Sequence, residues 1–255
     1  MIRRLSVLML MGLTAACGVG GGTPPVDGYD IADAPQYPLF DHTLTWTGTD
    51  ILVVGGAGGD MTDGELVDEP VRWNPTDGVR PIASPPGPPR SRHTAVWTGD
   101  ELIVWSGTTS PFGVGDGLIN STAAYDPDTD TWRELADSPT GIARVRGRGT
   151  TFAGHVIVTG GSTPDPDDEG TIGVYDLATD TWSSTAVDGD ALTTVATANA
   201  AYVLWADQQR VVHFSHLDIA SLELNEIPLP DLPDGADRSN AVVAEGRLIV
   251  WVEAS

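Results

Sequence analysis

Tyr125-Asp-Pro-Asp-Thr-Asp-Thr-Trp132 returns fifty residues later as Tyr175-Asp-Leu-Ala-Thr-Asp-Thr-Trp182. Each copy is an aromatic residue, a run of turn-forming residues and a second aromatic. Asp and Thr side chains hydrogen-bond nearby backbone, and Pro presets a turn dihedral, so the middle of the unit reverses the chain. The reversal sets Tyr125 and Trp132 on adjacent antiparallel strands, and Tyr175 and Trp182 likewise. Trp73-Asn-Pro-Thr-Asp-Gly-Val79 is a shortened copy. Leu217-Asp-Ile-Ala-Ser-Leu-Glu-Leu224 keeps the frame with leucine in both aromatic positions.

A second pattern precedes each of these units. His42-Thr-Leu-Thr-Trp-Thr-Gly-Thr-Asp-Ile-Leu-Val-Val-Gly-Gly56 aligns with His93-Thr-Ala-Val-Trp-Thr-Gly-Asp-Glu-Leu-Ile-Val-Trp-Ser-Gly107, and both align with Gly147 to Gly161. Thr193 to Asp207 and Ser239 to Glu253 are degraded copies. The segment ends lie 51, 54, 46 and 46 residues apart. Runs such as Leu102-Ile-Val-Trp105 are apolar at consecutive positions, which suits a strand covered on both faces. Trp97-Thr-Gly-Asp-Glu reads as a strand running into a hairpin turn. The paired glycines Gly55-Gly56 and Gly160-Gly161 allow close backbone approach and unusual dihedrals. Each repeat is thus a small antiparallel sheet that must stack on its neighbours to bury its faces.

A hydrophobic strand ending in Gly-Gly, then Tyr, then Trp about seven residues on, resembles the kelch repeat. The resemblance covers about residues 39–253. It implies an all-β fold, a kelch-type β-propeller, with blades at about 41–91, 92–145, 146–192 and 193–237 and a partial fifth at 238–255. It also implies structural roles for Gly55, Gly56, Gly160, Gly161, Tyr125, Trp132, Tyr175 and Trp182. Kelch propellers usually have six or seven blades, so four and a part leave two alternatives. Either the arc is open or incomplete, as a truncated product would be, or residues 26–40, with Tyr37-Pro-Leu-Phe40, supply a strand to the fifth blade. No Trp-Asp dipeptide occurs, which argues against the other common propeller repeat of this length.

The N-terminus reads as an export signal. Arg3 and Arg4 precede an uncharged, mostly apolar run from Leu5 to Ala16, too short to span a bilayer. Leu13-Thr-Ala-Ala-Cys17 resembles a bacterial lipobox, with threonine where leucine is usual three places before the cysteine. The expectation is a signal peptide over 1–16, lipidation of Cys17, and a flexible tether over 17–38 rich in glycine and proline. The mature domain is then exported and held at the bacterial envelope through its lipid. If the chain has an ordinary secretory signal instead, Cys17 is incidental and the protein is secreted.

Composition narrows the chemistry. A net charge of −23 repels phosphate backbones and anionic lipid headgroups, so no nucleic-acid partner is expected. Cys17 is the only cysteine, so an internal disulfide is impossible, and the Tyr–Cys copper chemistry of one kelch-fold oxidase family has no thiol in the mature domain. No cofactor or metal site is expected. Asp126, Asp128 and Asp130 alternate like the start of a calcium loop, but the glycine and terminal glutamate of such a loop are missing, so turn chemistry is the reading. Asp165-Pro-Asp-Asp-Glu169 reads as a solvated acidic loop. His213 and His216 fall on opposite faces of a strand, which argues against zinc. His42 and His93 share one repeat position, which points to a structural role.

The arginines are distributed unevenly. Arg90, Arg92, Arg144, Arg146, Arg148 and Arg238 all lie in links entering the first strand of a repeat. Arg92, Arg146 and Arg238 occupy one aligned position. In a propeller the first strand lines the channel, so Arg92, Arg146, Arg148 and Arg238 are candidates to hold a carboxylate or sulfate through bidentate pairs; local pairing with acidic loops is the competing explanation. The functional expectation is a non-catalytic binding or scaffolding module with an unknown protein or carbohydrate ligand. The alternatives are a periplasmic sugar-acid mutarotase and a non-functional fragment.

Overall fold

Leu102, Ile103, Val104 and Trp105 are each at most 1% exposed. Successive residues of a strand point to opposite faces, so both faces of this strand are covered. In the computed structural model Leu102 and Val104 meet Leu52, Val54 and Ile82 on one side. Ile103 and Trp105 meet Val156, Val158 and Tyr175 on the other. The structure describes residues 39–59, 64–111, 117–165, 168 and 170–228, and the backbone alone of 236–244 and 247–254.

Among the described residues the chain forms four antiparallel four-stranded sheets in sequence. The first holds β1 (Thr43–Trp46), β2 (Ile51–Val54), β5 (Val71–Asn74) and β6 (Gly78–Pro81), interrupted by a short hairpin of β3 (Ala57–Gly58) and β4 (Glu65–Leu66). The second holds β7 (Thr94–Trp97), β8 (Leu102–Trp105), β9 (Thr122–Asp126) and β10 (Thr131–Leu135). The third holds β11 (Arg148–Phe152), β12 (His155–Thr159), β13 (Thr171–Asp176) and β14 (Thr181–Ala186). The fourth holds β15 (Gly189–Ala196), β16 (Ala201–Asp207), β17 (Val212–Leu217) and β18 (Leu224–Glu226), and a hairpin of β19 (Ala236–Ala244) and β20 (Arg247–Ala254) follows. First strands neighbour one another in turn: β1 on β7, β7 on β11, β11 on β15 and β15 on β19.

The glycine pairs end the first hairpin of a sheet. Gly55 and Gly56 sit at φ 59° and 100°, and Gly160 and Gly161 at 64° and 80°. Such left-handed backbone breaks the ladder. A Cβ on Gly56 would lie 2.8 Å from that of His42, and one on Gly161 would lie 2.3 Å from the Val145 carbonyl oxygen. Single bridges, Phe40 to Ala57 and Val145 to Ser162, follow the break. In the fourth sheet Trp205 follows Leu204, the partner of Thr193, as Gly55 follows Val54, the partner of Thr43, so by register Trp205 and Ala206 stand where the glycines would, one place earlier than the sequence alignment puts them. With no break the ladder runs on to Gly189–Asp207 across a bulge between Ala191 and Thr193. The fourth sheet therefore starts at Gly189, ahead of the residue 193 expected from the alignment.

The aromatic–turn–aromatic units pair as expected, Tyr125 opposite Trp132 and Tyr175 opposite Trp182. They also clasp neighbouring sheets. The Trp132 indole donates to the Ala83 carbonyl at 2.7 Å, while one Asp130 oxygen accepts the Ala83 N–H at 2.9 Å and the Tyr125 hydroxyl at 2.8 Å. The third sheet repeats this on the second: Trp182 donates to the Ala136 carbonyl, and Asp180 accepts from Ala136 N–H and Tyr175. Each turn opens on an aspartate or asparagine whose side-chain oxygen accepts the N–H two residues on, from Asn74, Asp126, Asp176 and Asp218 in turn. The leucine-bearing copy thus keeps its turn and loses only the clasp. Residues 26–38, proposed above as an extra strand, lie outside the described residues; Phe40 pairs with Ala57.

Candidate functional site

The arginines that the sequence groups together divide into separate roles. Arg90 and Arg144 are 2% and 1% exposed. Each guanidinium donates to the backbone carbonyl at the end of its own sheet's first hairpin, Arg90 to Ser106 and Arg144 to Gly160, and to a second carbonyl, Ser121 before the third strand and Ile142 in the link between sheets. A buried cation is tolerated where such oxygens replace water. These two arginines stitch the irregular backbone after the first hairpin.

Arg92 and Arg146 converge on one carboxylate. Arg92 Nε lies 2.8 Å from Asp41 Oδ2, and Arg146 reaches Asp41 Oδ1 from Nε at 3.2 Å and from Nη2 at 2.9 Å. Asp41, Arg92 and Arg146 hold the same place in three successive repeats, and all three are left-handed, at φ 56°, 56° and 57°. Their backbones form a ladder in which Arg92 N–H donates to the Asp41 carbonyl and Arg146 N–H to the Arg92 carbonyl. Partial burial works against ionisation of Asp41, but the hydrogen bonds and charges of Arg92 and Arg146 outweigh it and hold the carboxyl below its usual range. Asp41 escapes a search for basic residues. The signal for it is a charge of opposite sign in the arginine column.

Beside this cluster the first strands of the four sheets line a groove of about 360 Å³. Thr43 and Thr45 of β1, Thr94 of β7, Thr193 and Thr194 of β15 and Arg148 of β11 line it, the Thr194 hydroxyl donating to the Tyr202 carbonyl. Gly147 and Gly149 flank Arg148 because β11 comes so close to β7: a Cβ would lie 2.8 Å from Thr94 Oγ1 at the first and 2.4 Å from a Val96 methyl at the second. His93 stands in the wall with Nε2 2.8 Å from Thr43 Oγ1. Burial above all, with Arg90 and His42 nearby, drives its pKa down to about 3, so the imidazole is neutral at physiological pH. His93 Nδ1 and Thr94 Oγ1 are buried and find no hydrogen-bond partner among the described residues. No aspartate or glutamate is among the described residues that line the groove.

The remaining candidates are dispersed. Asp126 serves its own turn and Asp130 the clasp, so their carboxylates go to separate partners. His213 stacks on Trp205 with Glu226 and Asp207 at its two nitrogens, while His216 meets the edge of Tyr202. Among the described residues no three His, Cys, Asp or Glu side chains gather as a metal site. Arg238 is placed by backbone alone, opposite Glu253. Cys17 and the segment around it lie outside the described residues, as do parts of the 165–169 loop. No protein-family model matches the chain, and no curated protein matches it.

Proposed function

We propose that the chain is a kelch-type β-propeller of four blades and part of a fifth, working as a non-catalytic binding module of the bacterial envelope, exported and anchored through Cys17. Its groove takes a small acidic carbohydrate. The step from first strand to first strand and the repeated aromatic clasp support the propeller. The make-up of the groove carries the ligand class. In a chain of net charge −23, its wall is lined by five threonines, among which the Thr94 hydroxyl is buried and that of Thr194 donates to the Tyr202 carbonyl, by a neutral imidazole and by one guanidinium. Hydroxyls both donate to and accept from sugar hydroxyls, and a guanidinium suits a carboxylate. The volume is that of a small-molecule site.

The test is a titration with glucuronate and galacturonate against glucose and galactose, followed by indole emission. Trp105 lies under Gly147 and reports on the groove floor. Saturable binding of a sugar acid is expected, with Arg148→Ala weakening it roughly 10- to 100-fold, as loss of a charge-assisted hydrogen bond does. Arg146→Ala, whose guanidinium is spent on Asp41, should change binding little. The reading falls if neither acid gives a saturable response, or if Arg148→Ala binds as the parent does.

A further inference from the structure

The threonines of the groove are not equivalent. The Thr94 hydroxyl is buried, and Thr194 spends its proton on the Tyr202 carbonyl at 3.2 Å. Thr43 is half-buried in the wall, with His93 Nε2 2.8 Å from its hydroxyl and no second partner among the described residues. A hydroxyl has one proton to give, so what Thr43 offers the groove depends on which nitrogen of His93 carries hydrogen.

The surroundings of the ring decide this. His93 is 3% exposed, and its charged neighbours are Arg90 and His42, not a carboxylate, so the ring carries a single proton. Nδ1 is buried and meets no acceptor among the described residues; it backs on Gly55, where a Cβ would lie 3.2 Å from it. A proton there would leave a buried N–H unpaired, and orphaned donors of that kind are rarer than under-used acceptors. The proton belongs on Nε2, which then donates to Thr43 Oγ1. With its oxygen accepting from the imidazole, Thr43 turns its own proton away from His93.

This pair is not repeated at the next step of the series. Gly147 holds the place of His93 there, and Thr94 that of Thr43. A Cβ on Gly147 would lie 2.8 Å from Thr94 Oγ1, which leaves no room for an imidazole.

We propose that His93 is a positioning residue for the groove's ligand: it holds Thr43 as a fixed hydrogen-bond donor on the β1 wall, selecting an acceptor oxygen such as that of a carboxylate and disfavouring a group that must donate. Thr43 thereby adds a neutral donor to the guanidinium of Arg148 in the same groove. The ligand selection rests on the groove reading above, whereas the state of the His93 ring does not.

Nitrogen-15 NMR of the histidine-labelled full chain, with the His93 ring assigned through its own backbone, reads the tautomer with no ligand present. Nδ1 should resonate as an unprotonated ring nitrogen and Nε2 as a protonated one. The reverse would overturn the proposal whether or not a sugar binds. Glucuronate titration is the second arm. Thr43→Val should bind about tenfold more weakly than Thr43→Ser, which keeps the hydroxyl. His93→Leu should bind at least about threefold more weakly than His93→Gln, whose amide keeps a donor near the place of Nε2. Equal affinities within both pairs would also overturn the proposal. If the parent chain binds no sugar acid while Nε2 carries the proton, the sugar-acid reading falls and Thr43 stands as an outward donor.

Discussion

Asp41 binds two arginines of unequal exposure, and their environments predict unequal costs of removal. The Arg92 side chain is 10% exposed and that of Arg146 62%. Asp41→Asn leaves Arg92 nearly buried without its counter-charge and should cost about 3 kcal/mol or more, whereas Arg146→Ala removes a largely solvated pair worth about 0–1 kcal/mol. Urea unfolding of both variants measures the difference; similar losses would show that the cluster works as one unit. The pH dependence separates this carboxylate from His93. A carboxyl held below its unfolded value contributes stability above that value and loses it as pH falls through the folded pKa, so the contribution of Asp41 is constant near neutrality and is lost only in strong acid. His93 has a folded pKa of about 3 against 6.5 for the free side chain. The unfolded chain therefore binds the extra proton between those values, and stability falls as pH drops from about 6.5, by up to about 1.4 kcal/mol per pH unit from this residue. Denaturant midpoints between pH 7.5 and 4.5 should show that slope, and His93→Gln should flatten it; an unchanged slope would move the effect to another group. The shared place of His42 and His93 in the repeat was readable from the alignment. The depth of His93 was not, because it depends on Gly55 arriving from the first sheet.

At the level of the element, the turn between Tyr125 and Trp132 was legible because its chemistry is local: side-chain oxygens accept N–H groups two residues away. The clasp was not legible, because Trp132 and Asp130 reach Ala83, 49 and 47 residues earlier in the chain. No spacing rule within the unit points to that partner. Asp130 is also left-handed, at φ 53°. Asparagine tolerates this conformation and keeps an acceptor, whereas alanine does neither. Asp130→Asn should thus cost about 1 kcal/mol or less, and Asp130→Ala about 2–3 kcal/mol, from a strained backbone together with an unpaired Ala83 N–H. Leu222, at the same turn position of the fourth sheet, is left-handed at φ 59° with no carboxylate to offer. Leu222→Asn should leave stability unchanged or raise it. If Asp130→Asn proves as costly as Asp130→Ala, the carboxylate charge and not the backbone sets the cost. The glycine pairs follow the same division. Their identity shows in the sequence, while the run-on of β15 and β16, where Trp205 and Ala206 replace them, shows only in the register.

Across the whole molecule, burial is distributed sheet by sheet. The apolar runs foretold strands covered on both faces, and the second and third sheets fulfil this, since each has a neighbour on either side. Which sheets would be left at the ends could not be read from repeats that look alike, because end effects belong to the assembly and not to the unit. Sheets stacked in series contact only their neighbours, so stability should decline from the middle of the series outward. β8, β9, β12 and β13 lie in the second and third sheets at inner positions of the strand order, whereas β6 is exposed along its length. Hydrogen exchange should accordingly be slowest in β8, β9, β12 and β13, with β6 and β18 at least about 100-fold faster through local opening. The −23 net charge adds a test of cause: self-repulsion acts on every sheet and is screened by salt, so added sodium chloride should slow exchange everywhere and leave the order of the sheets intact. Equal protection in all four sheets would mean that the stack opens as one cooperative unit, with coupling between sheets stronger than their separate cores can explain.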